Sequence, residues 1–199
     1  MESDECRFLV SKVREDIWVD KVNEARLQGN ALCKWASTFH PDRSGCKLEG
    51  GFLNGSYNVS QKIVFEDSCQ WMIRFPRVST IHDDYADEKV RIEVETMSII
   101  GERTTIPVPK VHAWGIASDN PLHLGPFIMM DYICGESLHS ILTPPHTRLI
   151  REDINNNNIE YIYKQIANIF LQIFSLDFNH ISSLLPIKTG GTVPVRPLT

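Results

Sequence analysis

The chain has 199 residues, enough for a sizeable core in one domain or in two lobes. Its 42% hydrophobic and 23% charged residues are the ordinary balance of a soluble globular protein. A formal charge of -5 lacks the basic surplus of a nucleic-acid binder, and no apolar run approaches the roughly 18 residues that span a bilayer. Neither nucleic acid nor membrane is therefore an expected partner.

The start, "MESDECRFLVSKVRED", is acidic and has neither an apolar signal core nor the basic, acid-poor look of a transit peptide, so the expected location is cytoplasmic. Residues 8–36 predict helix. Val10, Val13, Ile17 and Val22 form a ragged apolar stripe, and Gly29-Asn30 interrupts it before Leu32, Trp35 and Ala36. "ALCKWASTFHPDR" ends in His40-Pro41-Asp42, the HPD triplet of J-domain co-chaperones. A glycine-rich hairpin follows where that domain needs its second apolar helix, so a helix-ending turn is the preferred reading.

Strand-like runs come next. "GSYNVSQKIVFED" alternates through Tyr57, Val59, Ile63 and Phe65, turns at Asp67-Ser68, and returns as "CQWMIRFPR". Pro76 ends the second run because proline cannot donate to a ladder. "IHDDYADEK" gathers His82, Asp83, Asp84, Asp87 and Glu88 without the alternation or glycine of an EF-hand, and an acid-rich helix start complements the helix dipole. Residues 86–101 predict a helix with Val90, Val94, Met97 and Gly101 on one face. The prolines of "TTIPVPKVHAWGI" enforce an extended approach to a short strand, Val111–Trp114. "LGPFIMMDYICGESL" reads as a buried strand ending at Gly135. After a polar connection with an asparagine tract, residues 159–176 form the clearest helix, with Ile159, Ile162, Tyr163, Ile166, Ile169, Phe170, Ile173 and Phe174 on a wide apolar face.

The cysteines, Cys6, Cys33, Cys46, Cys69 and Cys134, are odd in number and widely spaced, with no CxxC. They are expected to be reduced, buried thiols and to form neither a disulfide framework nor a zinc site.

Gly50, Gly51 and Gly55 could let backbone N–H groups approach phosphate oxygens, but GxxxxGK[ST] and a strict GxGxxG are absent. Alone they favour a plain hairpin. The order of parts changes that balance. A kinase-type nucleotide site has a glycine turn between two strands, a cation on the third and a glutamate on the next helix. Here those positions are held by 50–58, Arg74 and Glu93, and "PFIMMDYICG" supplies a strand running into a hinge near 131–136.

"IPVPKVHAWG", "PFIMMDYICG" and the neighbouring stretches over roughly 45–199 resemble the fungal branch of the aminoglycoside phosphotransferase and choline-kinase-like family, within the protein-kinase-like fold. The resemblance implies an α+β fold with a small antiparallel sheet plus helix, a hinge and an incomplete helical large lobe. The expected divisions are an N-terminal helical segment (1–44), the small lobe (45–131), and the hinge with the start of the large lobe (132–199). It implies ATP as cofactor, with Gly51, Gly55, Ser56 and Asn58 in the phosphate loop, Arg74 as the phosphate-facing cation, Glu93 as its partner, and Tyr132 and Ile133 near the adenine. Arginine in place of lysine still forks to two oxygens.

The resemblance also implies Mg2+, but the HxDxxxxN loop and the later metal-binding aspartate do not occur in this chain. Asp153 and Asn158 have the right spacing yet precede helix 159–176, and "LDFN" lies at that helix's end. No catalytic residue is therefore expected, and the chain is expected to be an inactive, shortened phosphotransferase relative. The rival is a non-catalytic interaction protein that self-associates or docks a partner through helix 159–176.

Overall fold

The computed structural model describes residues 2–27, 30–80, 83–144, 146–147 and 149–178. The fold is α+β: a five-stranded antiparallel sheet with helices on both faces. The elements run α1 (Glu2–Leu27), α2 (Ala31–Ser37), β1 (Cys46–Asn54), β2 (Asn58–Phe65), β3 (Gln70–Pro76), α3 (Asp83–Arg103), β4 (Val111–Gly115), β5 (Phe127–Asp131), α4 (Leu138–Leu142) and α5 (Asn156–Phe174). The strand order is β1-β2-β3-β5-β4.

Strand alternation sorts the side chains onto two faces. Val59, Ile63 and Phe65 of β2, Trp71, Ile73 and Phe75 of β3, and Phe127 and Met129 of β5 face α1 and α2. There they share one core with Trp18, Val22, Leu32, Trp35 and Ala36. Trp18 anchors α1 by burying its ring and donating Nε1–H to the Leu124 carbonyl at 2.9 Å. On the opposite face Val90 and Val94 of α3 pack on Ile128 and Met130, with Met72, Met97 and Val111 at the margin. Spacing of four and then three residues puts Val90, Val94 and Met97 on one helical stripe.

Several expectations change. In α1 Trp18 and Val22 are buried in the core with Ala25 packed against it, and the expected stripe residues Val10, Val13 and Ile17 are exposed, because the C-terminal half of the helix is the part that meets the core. The interruption after α1 stands at Asn30, which adopts a left-handed φ of 57°; Gly29 lies outside the described residues. Strand β1 was not expected, since its glycines read as loop. Its pairing to β2 is broken between Glu49 and Leu53 by a bulge, where Gly50 has φ 68° and Gln61 Nε2 bonds the Glu49 carbonyl at 3.0 Å. Strand β5 ends at Asp131, not Gly135, because the ladder to β3 stops at the Trp71–Asp131 pair. Of the five thiols only Cys33 is buried, while Cys6, Cys69 and Cys134 are exposed, so the expectation of buried cysteines is corrected. His82 and residues 179–199 of the segments considered above lie outside the described residues.

Candidate functional site

The centre of the site follows from the β2–β3–β5 register. Ser60 pairs with Arg74, and Arg74 pairs with Ile128, so Arg74 lies mid-sheet on the face that α3 covers. Glu93 falls one residue before Val94 of the packed stripe, which brings its carboxylate to the guanidinium, and the two side chains form an ion pair. Both are largely enclosed, at 21% and 27% exposed. Arg74 Nη2 also lies 3.9 Å from Met130 Sδ, and its Nε is buried with no hydrogen-bond partner among the described residues. A buried, unpaired N–H on a cation is an unspent donor.

Lys89 joins this group, one turn before Glu93 on α3. Its Nζ lies 3.4 Å from Asn58 Oδ1 and 5.9 Å from the Tyr57 ring centroid. Burial lowers its pKa, Arg74 lowers it further, and Glu93 opposes both. Asn58 with Lys89, and Glu93 with Arg74, thus form two neighbouring polar pairs between the hairpin turn and mid-sheet, coupled electrostatically through Lys89 and Glu93. Lys89 was missed in the sequence, although its i,i+4 spacing to Glu93 was a readable signal.

The other expected residues are distributed around this centre. Gly55 and Ser56 form the exposed β1–β2 turn. The Gly55 N–H is already bonded to the Asn58 carbonyl at 2.9 Å, and the Gly55 carbonyl accepts from Arg77 Nε at 2.9 Å. Gly51 is not in that turn; it sits in the β1 bulge, whose Gly50 carbonyl accepts from Arg26 of α1. Tyr132 follows β5, its N–H bonded to the Gln70 carbonyl at 3.0 Å and its ring beneath Lys62 Nζ at 4.4 Å. Ile133 is exposed beside it. The structure therefore joins Arg74 and Glu93 directly, brings Asn58 to Lys89 on the next turn of α3, sets Gly55 and Ser56 at one end and Tyr132 and Ile133 at the other, and leaves Gly51 apart. The donor set does not suit Mg2+: the carboxylate at the centre, Glu93, is engaged by Arg74, and the three-member group of metal-ligating side chains among the described residues lies elsewhere.

The HPD triplet does not present a co-chaperone surface. His40 is buried, with its ring 4.4 Å from the Phe65 ring and 5.5 Å from Trp71. It occupies the turn that follows α2, with the Arg43 N–H bonded to its carbonyl at 2.9 Å.

No family model matches the chain. Curated relatives named "Altered inheritance of mitochondria protein 9, mitochondrial" are similar to it. The Meyerozyma guilliermondii protein is 28% identical over 131 residues, covering 65% of this chain and 20% of that protein. The Zygosaccharomyces rouxii protein is 27% identical over 162 residues, 79% of this chain and 25% of that protein. A Saccharomyces cerevisiae protein is 31% identical over 98 residues, 48% and 15% respectively. The chain thus spans a quarter or less of the length of these relatives.

These names correct three expectations. The relatives are not named as aminoglycoside phosphotransferases or choline kinases, which overturns the family assignment and with it the reading as a shortened phosphotransferase. The alternatives, an interaction protein or a J-domain co-chaperone, find no support in them either. The relatives are named as mitochondrial, against the cytoplasmic expectation.

Proposed function

We propose that this chain is a phosphate-binding segment of a mitochondrial protein, folded as a kinase-like small lobe, in which Arg74 braced by Glu93 faces the phosphates of a nucleotide such as ATP. No phosphoryl transfer is part of this reading. The observation that carries it is the largely enclosed Arg74–Glu93 pair, with an unspent Arg74 Nε–H and the partly desolvated Lys89 cation beside it. Two cations held out of bulk water with one carboxylate between them leave net positive charge, and an anion relieves it. The fold supports the reading as well. A glycine turn precedes β2, the cation lies on β3, its glutamate on the following helix, and β5 runs into an exposed segment at Tyr132 and Ile133. The turn Gly55–Asn58 would meet the outer phosphates, and Tyr132 and Ile133 the base. The location rests on the names of the relatives.

Calorimetric titration of the purified chain with ATP, ADP and adenosine tests the ligand. Binding is expected for the two phosphorylated compounds and not for adenosine, with Arg74→Ala weakening it about tenfold or more, the scale of one lost charge-assisted contact. ATP binding that is absent, or unchanged in Arg74→Ala, sinks the proposal. A fluorescent fusion expressed in yeast tests the location, and diffuse cytosolic signal would overturn that part alone.

A further inference from the structure

A second group of side chains lies at the opposite edge of the molecule's chemistry, on the α1/α2 face of the sheet and independent of Arg74. His40 from the turn after α2, Asp67 from the β2–β3 turn and Cys69 just beyond it place one ligand atom each within 4.8 Å of one another. We propose that His40, Asp67 and Cys69 form a three-ligand zinc site with its fourth position open to solvent.

The geometry comes from two rigid pieces. His40 is 5% exposed and held against the Phe65 and Trp71 rings, so its imidazole cannot turn away. Its Nε2 lies 3.2 Å from Asp67 Oδ2. The β2–β3 connection closes with the Phe65 N–H bonded to the Cys69 carbonyl at 2.9 Å, and Asp67 Oδ1 accepts the Cys69 N–H at 2.9 Å. That turn carries Asp67 and Cys69 together toward His40. Ligands about 2.0–2.3 Å from zinc at tetrahedral angles stand roughly 3.3–3.8 Å apart. A contraction of about 1 Å from the present 4.8 Å limit reaches that spacing, and side-chain rotation at the exposed Asp67 and Cys69 on their fixed turn supplies it.

The chemistry selects the metal. One imidazole, one carboxylate and one thiolate suit borderline-soft zinc, whereas Ca2+ and Mg2+ want an all-oxygen shell. The carboxylate and thiolate together neutralise a dication. Metal binding at Nε2 moves the imidazole proton to Nδ1, which is buried and finds no partner among the described residues. Metal-bound histidines ordinarily give that proton to an acceptor, and its lack weakens affinity by about 10–100-fold, making this an exchangeable site and not a structural one. No short-spacing motif announces the site, because its ligands come from two separate turns.

Cobalt titration of the reduced full chain, in a Cys6→Ser, Cys134→Ser background, reads the site directly. A thiolate-to-cobalt charge-transfer band is expected to saturate at one equivalent and to vanish on adding zinc. Cys69→Ser should abolish it, and Asp67→Asn should weaken binding about tenfold or more. Zinc should also slow alkylation of Cys69 but not of Cys46, which lies outside the three-ligand group. No charge-transfer band, a band that survives Cys69→Ser, or equal affinity in Asp67→Asn (an adventitious ion only) each overturns the site.

Discussion

Arg77, just past the end of β3, forms an ion pair with Glu15 of α1 while the same guanidinium bonds the Gly55 carbonyl through Nε and Asn54 Oδ1 through Nη2 at 3.0 Å. Glu15 also accepts the Ser79 N–H at 3.2 Å. The first helix is thereby tied to the glycine turn through one side chain. Both members of the pair are mostly enclosed, at 21% and 13% exposed.

Arg77→Ala removes this clamp, strands the Glu15 carboxylate and frees the turn. The expected loss is about 1–3 kcal/mol, between the small worth of an exposed pair and the cost of breaking a fully buried one. At about 2–4 °C per kcal/mol for a chain of this size, thermal melting should register it. Amide exchange at Gly55 should quicken while exchange in β2 and β3 does not; an unchanged Gly55 amide would show that the turn stands without Arg77.

Glu93→Gln tests the brace on Arg74. Lys89 has a lowered pKa in the folded chain, from burial first, with Arg74 adding to the effect and Glu93 opposing it. A lysine depressed on folding releases its proton more readily in the native state, so stability rises with pH just below the unfolded lysine range and falls as pH drops through the folded value. Without Glu93 the depression deepens, and the rise should become steeper in Glu93→Gln. Lys89→Met should remove this share of it. Denaturant titrations across the alkaline range measure the slope, and parallel curves for all three proteins would refute the coupling.

Cys46 should be the most readily ionised thiol of its pair. Hydrogen bonding from Cys33, helped by Ser37 and against the effect of burial, draws its pKa down to about 7. Cys33 is pushed up by the same hydrogen bond and by its burial. Since the thiolate is the nucleophile, alkylation of Cys46 should rise with pH through a midpoint near neutrality, while Cys33 stays unreactive in the native chain. Peptide-resolved mass spectrometry checks this. A Cys46 profile with its midpoint at the ordinary thiol value would contradict the pairing.

Ser68→Gly should stabilise the chain. Ser68 takes φ 71° in the β2–β3 turn, a left-handed conformation that costs a non-glycine residue about 1–2 kcal/mol. Glycine removes that cost but gains unfolded-state freedom worth about 0.4–1 kcal/mol, leaving a net gain of about 0.5–1 kcal/mol. Urea denaturation with an unchanged slope should show a higher midpoint. A lower midpoint would mean that the serine hydroxyl contributes more than its backbone costs.

Period alone was enough to read much of the secondary structure. The stripe through Val90, Val94 and Met97 marked α3, the alternation on either side of Asp67-Ser68 marked the β2–β3 hairpin, and the apolar face through Ile166 and Ile173 marked α5. These are local repeats, and a helix or hairpin writes them within a few residues. On α5 that face remains exposed at Ile166, Ile169, Phe170 and Ile173, which period cannot tell from a covered one. Strand β1 escaped because its order comes from the β2 ladder and from Gln61 spanning a glycine bulge, neither of which leaves a repeat in Cys46–Asn54.

The amino-acid sequence by itself determined the long helices α1, α3 and α5 (but not α4), the central hairpin and the candidacy of Arg74 and Glu93, since each depends on spacing along the chain. Only the tertiary structure decided that Lys89 joins them and Gly51 does not. It alone decided that α1 reaches the core through Trp18 and not through Val10 or Val13, and that His40 meets Asp67 and Cys69. Those relations cross between elements, so they follow from which faces the sheet buries and where its turns fall, and chain spacing carries no record of either.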